Sequence, residues 1–170
     1  DLDGQYEILA GSIIFTLSGN NYPGWPVQEG NLRNPVIGNI DDDNELEIVL
    51  GKNGFIYLYD NSGVLKPGWP RKGGMYNTVL GDVDGDNKVE IITVCDALLC
   101  AYNSDGSLVD GWPIGRYYPR LELGGSSQIA IADIDKDGII EVIALENYFV
   151  SAIHIWSTRT SNNPTEGWLE

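Results

Sequence analysis

The chain has no apolar run near the ~20 residues that a membrane-spanning helix needs, one His, and only 10 basic residues against 25 acidic ones. The first absence leaves no candidate membrane span. The second leaves little room for imidazole chemistry. The third gives a net charge of −15, which argues against nucleic acid and anionic membrane surfaces as partners, since both attract basic proteins. Two cysteines, Cys95 and Cys100, are too few and too close together for a disulfide framework. An initiator methionine, a signal peptide and a transit segment are missing as well, and the chain opens inside a motif, so it is expected to be a piece of a longer polypeptide. With 42% hydrophobic residues over 170 positions, it has enough apolar surface to fold around a core.

What the sequence does have is repetition. The stretches "IGNIDDDNELEIVLG", "LGDVDGDNKVEIITV" and "IADIDKDGIIEVIAL" share one acidic pattern, D-x-D-x-D-G-x-x-E, set against apolar flanks. Its first, third, fifth and ninth places are Asn39, Asp41, Asp43 and Glu47 in one copy, and Asp82, Asp84, Asp86 and Glu90 in the next. A later copy has Asp133, Asp135, Asp137 and Glu141, and a truncated copy at the start has Asp1, Asp3 and Glu7 at places three, five and nine. A second marker keeps the same beat: "PGWP" ending at Pro26, "PGWP" at Pro70, "DGWP" at Pro113 and "EGWL" at Leu169. Four units follow, approximately 1–26, 27–70, 71–113 and 114–170, in one array.

Each unit reads as four short strands. A compact apolar strand precedes the acidic loop and a second follows it, then come a tight turn (Asn53-Gly54 in the second unit) and an alternating strand such as "FIYLYD". Proline cannot donate to a sheet ladder, so the Pro of the marker is expected on an edge strand. No stretch has a helical period. The spacing predicts an all-β chain in which four-stranded units form the blades of a β-propeller, the first and last being incomplete.

The acidic loop has the layout of an oxygen cage. Calcium takes 6–8 oxygen ligands, and alternate side chains on a sharply turning loop can converge several carboxylates on one point. Places one, three, five and nine would supply side chains, and the seventh place (Gln5, Glu45, Lys88, Ile139) a backbone carbonyl. Well over half of the 25 acidic residues fall in these loops, and four divalent ions would cancel about half of the net charge of −15. Oxygen-only donors favour calcium over zinc, with up to four ions per chain. Metal-free Asx turns are the competing reading.

With "DVDGDNKVEI", "DIDKDGIIEV", "NIDDDNELEI" and "DLDGQYEI" on the page, the chain resembles the FG-GAP or VCBS-type repeats of integrin-α-like β-propellers. The resemblance implies a calcium loop between the first two strands of each blade, all on one face of a disc, in an extracellular or cell-surface setting. Glu stands at the ninth place where integrins usually have Asp, and Gly-Trp-Pro replaces the Phe-Gly and Gly-Ala-Pro signature. Propellers of this kind have more blades than the units present, so the end blades are expected to be completed by the rest of a longer chain or by another copy.

Where the units differ, a ligand is expected. "IGRYYPRLELGGSS" lengthens one inter-unit loop and "YFV" one turn, which in a propeller emerge together on the face opposite the calcium loops. They would gather Arg116, Tyr117, Tyr118, Arg120, Tyr148 and Phe149, residue types that bind a carbohydrate or an acidic protein, against the competing reading of a loop packed on its neighbour. Trp25, Trp69, Trp112 and Trp168 recur once per unit and are expected to pack between blades. His154 and Cys100 share one repeat slot, while Cys95 falls at a polar turn edge, diagonally across a hairpin from Cys100, so bonded and free forms both remain open. The functional expectation is a non-catalytic calcium-binding module for binding, adhesion or assembly. The alternatives are the propeller of a secreted polysaccharide lyase and a subunit of a cell-surface filament. A lone His, no Gly-x-Ser-x-Gly elbow and no acid pair outside the loops argue against an enzyme.

Overall fold

A computed structural model of the chain describes residues 3–74, 78–96, 98–114, 128–147, 151–157 and 165–167. The runs of alternating and β-branched residues form strands, and no helix occurs among the described residues. Each sheet is antiparallel and follows chain order. The first pairs β1 (Glu7–Ala10) with β2 (Ile13–Thr16). The second runs β3 (Arg33–Gly38), β4 (Glu47–Lys52), β5 (Phe55–Tyr59), β6 (Arg71–Lys72). The third has β7 (Thr78–Gly81), β8 (Glu90–Cys95) and β9 (Leu98–Tyr102). The fourth has β10 (Gln128–Ala132), β11 (Glu141–Asn147), β12 (Ser151–Ser157) and β13 (Thr165–Gly167).

Two-residue turns suit glycine and asparagine because both tolerate positive φ. Asn53 and Gly54, with φ of 53° and 80°, join β4 to β5 in this way. The second sheet extends beyond its Trp-Pro marker, for Arg71 and Lys72 pair with Ile56 and Phe55 and so belong to the sheet before them. Pro70 lies just ahead of that edge strand, not within it, because a strand residue there would need the N–H that proline lacks. Trp25-Pro26, Trp69-Pro70 and Trp112-Pro113 are all cis.

The core lies between sheets. Successive residues of a strand face opposite sides, and in the second and third sheets both sides are covered. Ile48 and Leu50 of β4 join Ile14 and Trp25 in one cluster, while Val49 joins Ile91 and Tyr102 in the next. Ile92, Leu99 and Ala101 complete a third cluster with Ile129, Val142 and Trp156 of the last sheet. The first two seams repeat one fitting. Trp25 stands edge-on to Tyr59 at 5.8 Å and donates its Nε1–H to the Asn61 carbonyl at 2.9 Å. Trp69 does the same with Tyr102 at 5.9 Å and with the Ser104 carbonyl at 2.9 Å. At Gly24 and Gly68 an added Cβ would overlap the Ser62 and Asp105 carbonyl oxygens, so the glycine allows the chains to close up.

Trp69→Phe keeps a ring in the seam but leaves the Ser104 carbonyl without its donor. Urea titration should register a loss of about 1–2 kcal/mol; an unchanged midpoint would remove the fitting from the account of stability.

The Cys95–Cys100 pair is bonded, with Cα atoms 5.9 Å apart. Cys95 faces Leu98 and Cys100 faces Thr93, which places the sulfurs diagonally on one face of the β8–β9 hairpin. Both are buried in the second cluster, so Cys95 is a core residue and not part of a polar turn edge. Its alternation along β8 sends it to the same side as Ile91 and Thr93.

Candidate metal centres

In three units the strand before the acidic loop ends, and the strand after it begins, in one register. Gly38 faces Glu47, Gly81 faces Glu90, and Ala132 faces Glu141. The facing residue is small for a reason: Leu80 takes the space a side chain at Gly38 would need, and Ile131 that at Gly81. The ninth-place glutamates are consequently buried, at 0%, 1% and 6% exposure for Glu47, Glu90 and Glu141. Each reaches back under its loop to the second place. Its Oε2 accepts the backbone N–H of Ile40 at 2.7 Å, of Val83 at 2.8 Å, and of Ile134 at 2.9 Å.

Above this floor the fifth-place aspartate shapes the turn. Its Oδ1 accepts the seventh-place N–H in all four loops: Asp3 from Gln5, Asp43 from Glu45, Asp86 from Lys88 and Asp137 from Ile139, at 2.7, 2.6, 2.8 and 2.8 Å. These are Asx-type bonds that hold the carboxylates on one side of the turn. In loops 82–90 and 133–141 the first-place carboxylate also accepts the sixth-place N–H, Asp82 from Asn87 and Asp133 from Gly138, both at 3.0 Å. Those sixth-place residues have φ of 66° and 85°, which is why Asn or Gly stands there.

Three groups of carboxylates converge, each with one oxygen per residue within 4.8 Å of the others: Asp41, Asp43 and Glu47; Asp82, Asp84 and Asp86; Asp133, Asp135 and Glu141. Glu90 and Asp137 lie outside these tightest sets. Asp1 falls outside the described residues, so the first loop is represented by Asp3 and Glu7. For the seventh-place residues the structure establishes the N–H contact above. Arg116, Tyr117, Tyr118, Arg120, Tyr148 and Phe149 also fall outside the described residues.

These sites fit a hard divalent cation. The donors are all carboxylate oxygens, which suits calcium-type ions and not soft metals. A buried carboxylate is costly without a compensating charge, and Glu47 Oε1 and Asp41 Oδ1 are buried with no hydrogen-bond partner. Burial, followed by the charges of Asp84, Asp86 and Asp82, pushes the Glu90 carboxyl from 4.5 up to about 7 against the pull of the Val83 N–H. Burial and the Asp41 charge also push Glu47 up.

One neighbour was not anticipated from the loop pattern. Lys66, in the stretch before the second marker, forms an ion pair with Asp41 Oδ2. Burial pulls the ammonium down, but the Asp41 hydrogen bond and the charges of Asp41, Glu47 and Asp43 outweigh it and hold Lys66 above the usual lysine range. The available signal was positional, as Tyr22, Lys66 and Val109 each precede a marker tryptophan by three residues.

Comparison with known protein families, with functionally characterised proteins and with solved structures gave no match to this chain.

Proposed function

We propose that the chain is part of a calcium-stiffened β-propeller of the FG-GAP or VCBS type, acting as a non-catalytic binding or assembly module outside the cell. The observation that carries this reading is the buried ninth-place glutamate beside converging carboxylates in loops 82–90 and 133–141, with no cationic partner buried among them in the described residues. A fold built only of Asx turns has no need of that buried charge. Asp82, Asp84 and Asp86 would hold an ion over Glu90, and Asp133, Asp135 and Glu141 another, each tying the first two strands of its sheet together. Sheets that share their cores face to face support stacked blades. The Cys95–Cys100 bond supports an oxidising, extracellular setting.

Assembly has its own support at the terminal sheets, where Tyr6, Ile8 and Leu17 at one end and Ile153 at the other are exposed apolar residues. A cavity of about 470 Å³ lies between the first two sheets, walled by Glu7 and Leu9 on one side and Ile37 and Ile48 on the other. It flanks β1, whose second edge pairs with no strand among the described residues. A strand from the rest of a longer chain or from another copy would complete that blade there.

Calorimetric titration of metal-free protein with calcium chloride tests the reading. Binding with micromolar affinity or better is expected, with magnesium far weaker because it demands octahedral geometry. No heat at millimolar calcium would end it. Release of ultraviolet-absorbing unsaturated ends from acidic polysaccharides would replace the binding module with a lyase.

A further inference from the structure

The acidic loops are not equivalent, and the difference lies at one position. The residue three places before each marker tryptophan is Tyr22, Lys66, Val109 or, in sequence, Thr165. Tyr22, Lys66 and Val109 occupy the same place in the structure, because their backbone N–H groups donate to the third-strand carbonyls of Ile14, Leu58 and Ala101 at 2.8, 2.8 and 3.0 Å. Lys66 alone is a cation. Its Nζ pairs with Asp41 Oδ2, and the two side chains are only 21% and 23% exposed. The carboxylates acting on it are Asp41, Glu47 and Asp43, the same three that converge in loop 39–47. Lys88 also meets an acid of its own loop, Asp86 at 3.5 Å, but those side chains are 61% and 42% exposed and lie in solvent.

The loop itself provides a second, independent observation. Its first place is Asn39 where loops 82–90 and 133–141 have Asp. The Asn39 amide donates to the Asp43 carbonyl, and its Oδ1 accepts the Asp42 N–H at 2.9 Å. A carboxylate could not make the first of those bonds. The sixth place, Asn44, is not left-handed, unlike Asn87 and Gly138. At its first, third, fifth and ninth places loop 39–47 therefore has three acids against four in loops 82–90 and 133–141, one of the three paired with Lys66, and a backbone closed by its own amide.

We infer that Lys66 is the built-in cation of loop 39–47, filling with its ammonium the role a divalent ion fills in loops 82–90 and 133–141, and so keeping calcium out of that loop. The inference rests on the metal reading for the other two loops. It follows from the charge at the ligand places and from donor count. Calcium needs 6–8 oxygens, whereas here Asn39 Oδ1 is committed to the Asp42 N–H and Asp41 Oδ2 to Lys66. That leaves Asp41 Oδ1 and Glu47 Oε1 of the loop without a hydrogen-bond partner. Two cations in one small pocket repel.

Metal-free full chain, as wild type and as Lys66→Met, is titrated with calcium chloride, with ¹⁵N–¹H amide shifts read for each loop and bound calcium counted by equilibrium dialysis. In wild type, residues 82–90 and 133–141 should respond and 39–47 stay silent through millimolar calcium. Lys66→Met should gain one ion per chain and a response at 39–47, while Lys66→Arg, which keeps the charge, should gain neither. Lys66→Gln repeats the test if the Met variant does not fold. A wild-type response at 39–47, or no gain in the neutral variants, overturns the inference. Silence of 82–90 and 133–141 in every protein overturns the metal reading instead, and a gain confined to 39–47 in the neutral variants would then leave the role of Lys66 standing.

Discussion

Stripping divalent ions should lower the thermal midpoint of this protein by about 10–20 °C near neutral pH, and millimolar calcium should restore it. The size follows from two sites, loops 82–90 and 133–141, each contributing about 2.7 kcal/mol when free ion stands a hundredfold above its dissociation constant. For a domain of this length each kcal/mol moves the midpoint by roughly 2–4 °C. The effect also has a defined pH dependence. Glu90 titrates at about 7 in the fold against an ordinary 4.5, so the native state holds a proton that the unfolded chain has already lost. That contribution is fully present below the unfolded value and disappears as pH rises through the folded one, so metal-free protein weakens across this window. Glu47, also pushed up, weakens it in the same direction. A bound divalent ion replaces the proton, so the gap between calcium and chelator should be widest above neutrality and narrow towards pH 5. Scanning calorimetry across that range measures both. A gap that does not grow with pH would separate metal binding from the buried glutamates.

Glu90→Gln and Glu90→Ala should diverge sharply. Glutamine keeps the length and an oxygen for the Val83 N–H but removes the charge beneath Asp82, Asp84 and Asp86. In chelator at about pH 8 the Gln variant should match or exceed wild type, because a buried anion has been neutralised. In calcium it should fall behind by about 1–3 kcal/mol, as affinity at that loop drops with the lost charge. Alanine removes the acceptor as well, leaving a buried N–H and a void, and should lose about 3 kcal/mol or more with or without metal. Urea unfolding in the two buffers measures each value. Equal calcium stabilisation of wild type and Glu90→Gln would show that the floor carboxylate takes no part in binding.

Much of this architecture could be read from the chain, and the reason differs by element. Strands were legible because alternation in "FIYLYD" and "LLCAYN" records which residues face each neighbouring sheet. The Asn53-Gly54 turn was legible because few residues accept its backbone angles. The acidic loops were legible through spacing alone, since an Asp two residues before a backbone N–H closes the same Asx bond each time. Three things were not. The glutamate's hold on the second-place N–H depends on the depth of the β3–β4 register, which spacing does not record. The burial of Cys95 was masked because Ser12, Lys52 and Glu146 occupy its slot in the other units. Lys66 was overlooked because it lies 19 or more residues beyond the loop whose Asp41 it pairs with, and only the paired change to Asn39 in the same unit points to it.

The tryptophan fitting has a consequence for how such a chain can change length. Trp25 with Tyr59 and Asn61, and Trp69 with Tyr102 and Ser104, are interchangeable joints of one gauge. Duplication of the segment between the two joints would bring matching plug and socket together again, so a chain with one such segment added is expected to fold as a longer array.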